Sequence, residues 1–232
     1  MYHAKITKLE RLTEKIVTIN FNIRLQSYPG QFVMVNVPGY EEIPLSLSSP
    51  NSVTVKAVGE TTERLVKAEE GMYVGIRGAF GNAFSPSKSA LIVAGGIGIA
   101  PLKYLYDYLQ KCNAKVSVIY GDRTSQNLFW IDKFDKITIT TEDGTLGLKG
   151  TVIDALSLEN LDEFEKIYVC GSEGMLRATY EFLKERDALD KAEFSLERFM
   201  RCGLGVCGSC VVENGLRVCT DGPVFKASDL TW

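Results

Sequence analysis

The sequence predicts a small antiparallel β-barrel, then a doubly wound parallel α/β sheet, and at the C-terminus a small cysteine-rich module. Three observations carry this. Short β-type segments parted by turn residues fill the first third. Apolar strands alternate with helical stretches through the middle. Glycine and cysteine concentrate from about Arg198 onward. The expected domains are therefore 1–87, 88–197 and 198–232.

In the first part, strands are expected at Ala4–Leu9, Ile16–Phe21, Gln31–Val37, Pro44–Leu47, Val53–Val58 and Met72–Arg77. Pro29-Gly30 and Pro38-Gly39 supply turns between them. One helix, Thr62–Glu70, opens on a threonine and stops at Gly71. In the middle, Ala90–Ala94, Val116–Tyr120, Ile137–Thr141 and Lys166–Cys170 have the apolar, β-branched character of strands buried on both faces. Pro101–Lys111 and Glu173–Arg186 read as the helices between them, and the boundary with the barrel falls near Ser85–Lys88.

Composition narrows the function. Of 232 residues, 26 are Lys or Arg and 29 are Asp or Glu, a formal charge of −3, and 45% are hydrophobic. A disordered or collagen-like chain is excluded, and a basic nucleic-acid binder is disfavoured. No stretch approaches the roughly 20 unbroken apolar residues that span a bilayer. The opening residues lack the apolar centre of a signal peptide, so a cytoplasmic protein with no membrane contact is expected. The single histidine, His3, lies at the chain end. That argues against Ser-His-Asp, Cys-His and His-metal chemistry and leaves the reaction to a cofactor.

Gly95-Gly96-Ile97-Gly98 follows an apolar strand and precedes a helix with Pro101 near its start. Glycines there let backbone approach a pyrophosphate at a helix N-terminus, although a tight strand–helix turn alone also demands them. A second loop, Cys170-Gly171-Ser172-Glu173-Gly174-Met175, ends another strand, and ligands of such sheets bind outside the strands' carboxyl ends. Cys170 either faces a nicotinamide or is a small buried residue. Asp122 would suit a free ribose hydroxyl and Arg123 a phosphate, which leaves NADH and NADPH both open.

Of six cysteines, Cys112 reads as structural, whereas Cys202, Cys207, Cys210 and Cys219 form C-x4-C-x2-C-x8-C. The first three match the plant-type [2Fe–2S] spacing, and Gly203, Gly205 and Gly208 allow a tight loop that turns N–H groups toward sulfur. With Asn214-Gly215 as a two-residue hairpin turn, Cys210 is expected directly opposite Cys219. A four-cysteine zinc site competes, but it usually repeats C-x2–4-C. A Cys210–Cys219 disulfide would leave the other two cysteines unexplained.

The order of barrel, GGIGIAP, CGSEGM and C-x4-C-x2-C…C resembles the ferredoxin–NADP reductase-like flavoproteins. Within them it is most similar to the electron-transfer subunits of two-subunit, NAD-dependent dihydroorotate dehydrogenases, through RCGLGVCGSC and VCTDGPVF. The resemblance implies FAD, one [2Fe–2S] cluster on the four clustered cysteines, and NAD(H) as substrate. It implies a flavin motif R-P-x-S, read here as Ile43-Pro44-Leu45-Ser46. Pro44, Leu45 and Ser46 match, and Ile43 replaces the arginine that pairs with flavin phosphate in relatives. Val55, Lys56, Thr61 and Thr62 are the residues expected to complete that site. Gly95, Gly96, Gly98, Pro101, Cys170 and Gly171 are expected on the nicotinamide nucleotide.

The resemblance also implies a partner, an FMN-bearing (β/α)8 catalytic subunit, with two copies of each chain. Such a barrel takes about 250 residues, for which this chain has no room, so only the relay is expected here. Phe199, Met200, Leu204 and Val206 are candidates for either the docking surface or a local core. Diaphorase subunits of hydrogenases and ferredoxin–NAD(P) reductases share the layout, some with aspartate at the first cluster position, where this chain has Cys202. From a different class, the competing reading is a non-catalytic zinc protein with a nucleotide-binding module.

Overall fold

The computed structural model describes Met1–Trp232. The barrel consists of β1 (Tyr2–Arg11), β2 (Ile16–Phe21), β3 (Phe32–Asn36), β4 (Ile43–Ser49), β5 (Ser52–Lys56) and β6 (Tyr73–Phe80), with helix α1 (Glu60–Val66) before β6. It closes in the order β1-β2-β5-β4-β3-β6, every pairing antiparallel, with β1 hydrogen-bonded to both β2 and β6. Alternation is the cause: Val17 and Ile19, Val33 and Val35, Val53 and Val55 all turn inward into one core.

The helix begins earlier than its threonine suggests. Thr62 is not the cap but lies inside the first turn, where its hydroxyl accepts from the Val58 and Gly59 N–H groups, both at 2.9 Å. That same bonding ends β5 at Lys56, because Val58 gives its N–H to the helix.

The second unit is a seven-stranded sheet in the order β10-β9-β8-β7-β11-β12-β13. Its elements are β7 (Ser89–Gly95), α2 (Ile99–Lys111), β8 (Lys115–Asp122), β9 (Ile137–Thr141), β10 (Leu148–Lys149), α3 (Val152–Leu156), β11 (Lys166–Cys170), α4 (Glu173–Lys184), β12 (Ala192–Ser195) and β13 (Val224–Lys226). All neighbours are parallel except β12 and β13. On β7, Leu91 and Val93 face one core while Ala90, Ile92 and Ala94 face the other, so the strand is apolar throughout. Chain order reverses between β7 and β11, the position where open α/β sheets bind ligands.

Two contacts fix the barrel against this sheet. Tyr104 of α2 packs into the barrel core and donates its hydroxyl to the Ser27 carbonyl at 2.8 Å. Buried Glu193 of β12 accepts from the Ser85 N–H at 2.9 Å and from the Ser85 hydroxyl. The cysteine-bearing segment is tied in as well, since β13 extends the sheet antiparallel to β12.

Candidate functional site

Both glycine loops lie at the carboxyl edge of the sheet, on the adjacent strands β7 and β11 that flank the order reversal. They border an open cleft of about 720 Å³ whose lining also includes Lys56 and Val58 from the barrel. Much of the glycine requirement is packing between the loops. A Cβ at Gly98 would stand 2.4 Å from the Cys170 carbonyl oxygen, and one at Gly95 2.3 Å from the Met175 sulfur. Gly96 is different. Its φ is +54°, and a Cβ there would meet only the Asp122 carboxylate, at 3.3 Å, so its missing side chain leaves the cleft clear.

Asp122 ends β8 with one oxygen engaged and one free. Oδ1 accepts from the Arg123 N–H and the Asn127 side-chain amide, both at 2.6 Å, while Oδ2 faces Gly96. Beside it, the Thr140 hydroxyl is fully buried, borders the cleft and has no partner within the protein. A carboxylate oriented by two donors, with its second oxygen free, fits a polar ligand such as a ribose. Glu197, an exposed residue, also lines the cleft, where desolvation by the surrounding protein raises its carboxyl pKa from the ordinary value.

The barrel wall sorts the flavin-motif residues into two sets. Pro44 pairs with Met34 and Ser46 with Phe32, so by register all four share the barrel's outer face. Phe32 and Met34 belong to the same core as Cys210 and Cys219, so this face abuts the cysteine segment. Ile43, Leu45 and Val55 pack against the barrel interior instead. The Thr61 hydroxyl donates to the Glu41 carbonyl at 3.1 Å, and Thr62 is occupied in its own turn.

The four cysteines form one interacting group, in which Cys202 acts on both Cys207 and Cys219. Cys210 and Cys219 bring their sulfurs within 3.3 Å, and Cys202 and Cys207 lie close enough to perturb one another's ionisation. Backbone N–H groups point at sulfur, Gly205 to Cys219 at 3.2 Å and Leu204 to Cys202 at 3.4 Å. Those of Leu204, Cys207 and Val206 pull the Cys202 thiol down to about 6, the Ser209 hydroxyl lowers Cys207, and burial pushes Cys219 up to about 11. A two-iron cluster takes two thiolates per iron, and this donor set fits it.

The hairpin differs from the two-residue turn expected. Val211 bridges to Arg217, Val212 donates to the Leu216 carbonyl at 2.8 Å, and Glu213-Asn214-Gly215 form a three-residue tip. Gly215 alone takes a positive φ, +84°, whereas the two-residue type I′ turn needs Asn214 there too. The register shifts by one, so Val218 donates to Cys210 at 3.1 Å in place of Cys219 facing it. The sulfurs of Cys210 and Cys219 still meet.

The model for the iron-sulfur cluster binding domain of dihydroorotate dehydrogenase B matches residues 197–231, and that for an oxidoreductase NAD-binding domain matches 92–181. A relative from Archaeoglobus fulgidus, described as a probable dihydroorotate dehydrogenase B (NAD(+)) electron transfer subunit, is 77% identical over 232 residues and covers 100% of both chains. The chain belongs to this family of electron transfer subunits. A member from Pyrococcus furiosus is 44% identical, covering 98% of this chain and 87% of its own. Among solved structures, one of an NADH-dependent reduced ferredoxin-NADP oxidoreductase superposes with a TM-score of 0.87 at 27% identity, covering 100% of this chain and 91% of that one. Phthalate dioxygenase reductase shares the fold, with a TM-score of 0.67 at 18% identity over 83% of this chain and 68% of its own.

In this electron transfer subunit, the expected nucleotide residues fall into two groups. Gly95, Gly96, Gly98 and Gly171 line the cleft, whereas Pro101 and Cys170 are buried behind it. Burial raises the Cys170 pKa and keeps its thiol neutral. Sequence reasoning missed Thr140 and Glu197. A threonine at the end of an apolar strand gives no local sign that its hydroxyl will lack a partner. Glu197 follows β12, a strand the sequence did not reveal.

Proposed function

We propose that this chain is the electron relay of a two-subunit dihydroorotate dehydrogenase, carrying electrons between a catalytic partner subunit and NAD. When bound, FAD exchanges a hydride with the nicotinamide and single electrons with a [2Fe–2S] cluster, which converts two-electron to one-electron traffic. Cys202, Cys207, Cys210 and Cys219 would hold the cluster. The observation that carries this reading is the meeting of the Cys210 and Cys219 sulfurs at 3.3 Å, in a loop whose backbone N–H groups are aimed at Cys202 and Cys219. Pro44 and Ser46 present the flavin face of the barrel. Lys56, on the cleft wall, supplies the positive charge that Ile43 cannot. Gly96 admits the pyrophosphate, and Glu197 borders the space left for the nicotinamide.

The domains follow as a flavin barrel over 1–87, a nucleotide domain over 88–197 and a cluster module over 198–232. The partner carries FMN, and the assembly holds two of each chain. Phe199, Leu204 and Val206, exposed at 55%, 55% and 84%, form the docking patch, while buried Met200 belongs to the local core. No helix is long and apolar enough to cross a membrane, and the proposed location is cytoplasmic.

Anaerobic purification tests the cofactors. A yellow-brown protein containing FAD with iron and acid-labile sulfide in equal amounts is expected, and a colourless zinc protein would contradict the reading. Asp122 tests the nucleotide. Its free oxygen suits a ribose diol and repels a 2′-phosphate, so NADH should be preferred. Asp122→Ser should raise KM for NADH about tenfold or more, in line with the roughly 1.5–3 kcal/mol of a charged hydrogen bond, and narrow the gap to NADPH. Unchanged discrimination would remove Asp122 from the ribose site.

A further inference from the structure

The cysteine loop is held from the barrel side by a charged pair. Arg77 of β6 makes a bidentate contact with Glu42, Nε to Oε1 at 2.9 Å and Nη2 to Oε2 at 2.6 Å. The same Nη2 donates to the Cys202 carbonyl oxygen at 3.2 Å, joining residues 125 positions apart. Arg77 aligns with Met34 and Pro44 in one row across β6, β3 and β4, on the outer face that abuts the cysteine segment. Its guanidinium lies 5.8 Å from the Phe80 ring. The Arg77 and Glu42 side chains are only 23% and 20% exposed, so their field is screened less than that of a surface pair. Arg217 also reaches the loop, through the Gly205 carbonyl at 3.1 Å, but is 44% exposed.

We propose that Arg77 and Glu42 are positioning residues that set the reduction potential of the cluster ligated by Cys202. This rests on the ligand assignment above. Reduction adds one electron to the cluster with no bond made or broken, so the reduced form carries one more negative charge. The Arg77 cation, in contact with the first ligand's peptide, stabilises that form and raises the potential. Glu42, locked to the same guanidinium, offsets part of the effect.

The two charges therefore predict shifts of opposite sign. An anaerobic redox titration of the purified, cofactor-loaded chain, followed by the paramagnetic signal of the reduced cluster, reads them directly. Arg77→Gln should lower the potential and Glu42→Gln should raise it. Each shift should change the reduced-to-oxidised ratio about tenfold at fixed potential, which is about 59 mV for one electron. Arg77→Lys, which keeps the charge, should fall between wild type and Arg77→Gln. If Arg77→Gln frees the loop and loses iron, Glu42→Gln decides alone, because it leaves the bond to Cys202 in place. Shifts of the same sign, no shift in Glu42→Gln, or equal iron loss from both variants would reduce the pair to a structural latch and overturn the inference. A wild-type chain with no cluster signal would overturn the ligand assignment as well.

Discussion

Serine at Cys202, Cys207, Cys210 or Cys219 is expected to remove most of the iron and acid-labile sulfide, while Cys112→Ser leaves both unchanged. A serine hydroxyl stays protonated near neutral pH and is a harder, weaker ligand for iron than thiolate. The loop is built for sulfur, with the Leu204 and Gly205 N–H groups directed at Cys202 and Cys219. Cys210 and Cys219 are each 2% exposed, so an unliganded hydroxyl there would also be buried beside a thiol. Cys112 caps the far end of α2, just before β8 begins, at the opposite edge of the sheet from the loops. Iron and sulfide analysis of the five variants checks the set. Retention of iron in any one of the four would remove that residue from the ligands.

Substitutions at Gly96 and Gly98 should separate binding from folding. Gly96→Val places its side chain in the cleft beside Asp122 and should weaken NADH binding about tenfold or more, with flavin and iron content retained. The left-handed φ of +54° adds a strain of at least about 1–2 kcal/mol, and more for a β-branched side chain, which the thermal melts read separately. Gly98→Ala meets backbone instead, at 2.4 Å from the Cys170 oxygen. It should cost about 1–3 kcal/mol by overpacking and lower the melting temperature by several degrees. NADH titrations beside thermal melts distinguish the two. If Gly96→Val loses flavin and nucleotide together, the separate placement of the two sites fails.

The barrel and the inner sheet were legible because their strands obey simple periods. Alternation at Ile16–Phe21 and the unbroken apolar run at Ala90–Ala94 each admit one arrangement of faces. β12 escaped notice because buried Glu193 interrupts its apolar character, and its partner Ser85 lies 108 residues away. β13 has three residues, and only β12 gives it a reason to be extended. The cysteine spacing disclosed the centre, but the hairpin register depended on whether Asn214 would take a positive φ, which it does not. Asp122 was visible as a candidate, yet only the structure shows Arg123 and Asn127 committing one of its oxygens and leaving the other free. The Arg77 link to Cys202 is a long-range contact without a local pattern.

The central claim is that this chain relays electrons and does not transform orotate. Its most direct test is dihydroorotate-dependent reduction of NAD by the chain mixed with its catalytic subunit, measured beside each component alone. The pair should form orotate and NADH in equal amounts. The isolated chain should oxidise NADH only with artificial electron acceptors. Orotate formation by the isolated chain at the rate of the pair, or a catalytic subunit whose reduction of NAD is indifferent to this chain, would contradict the account.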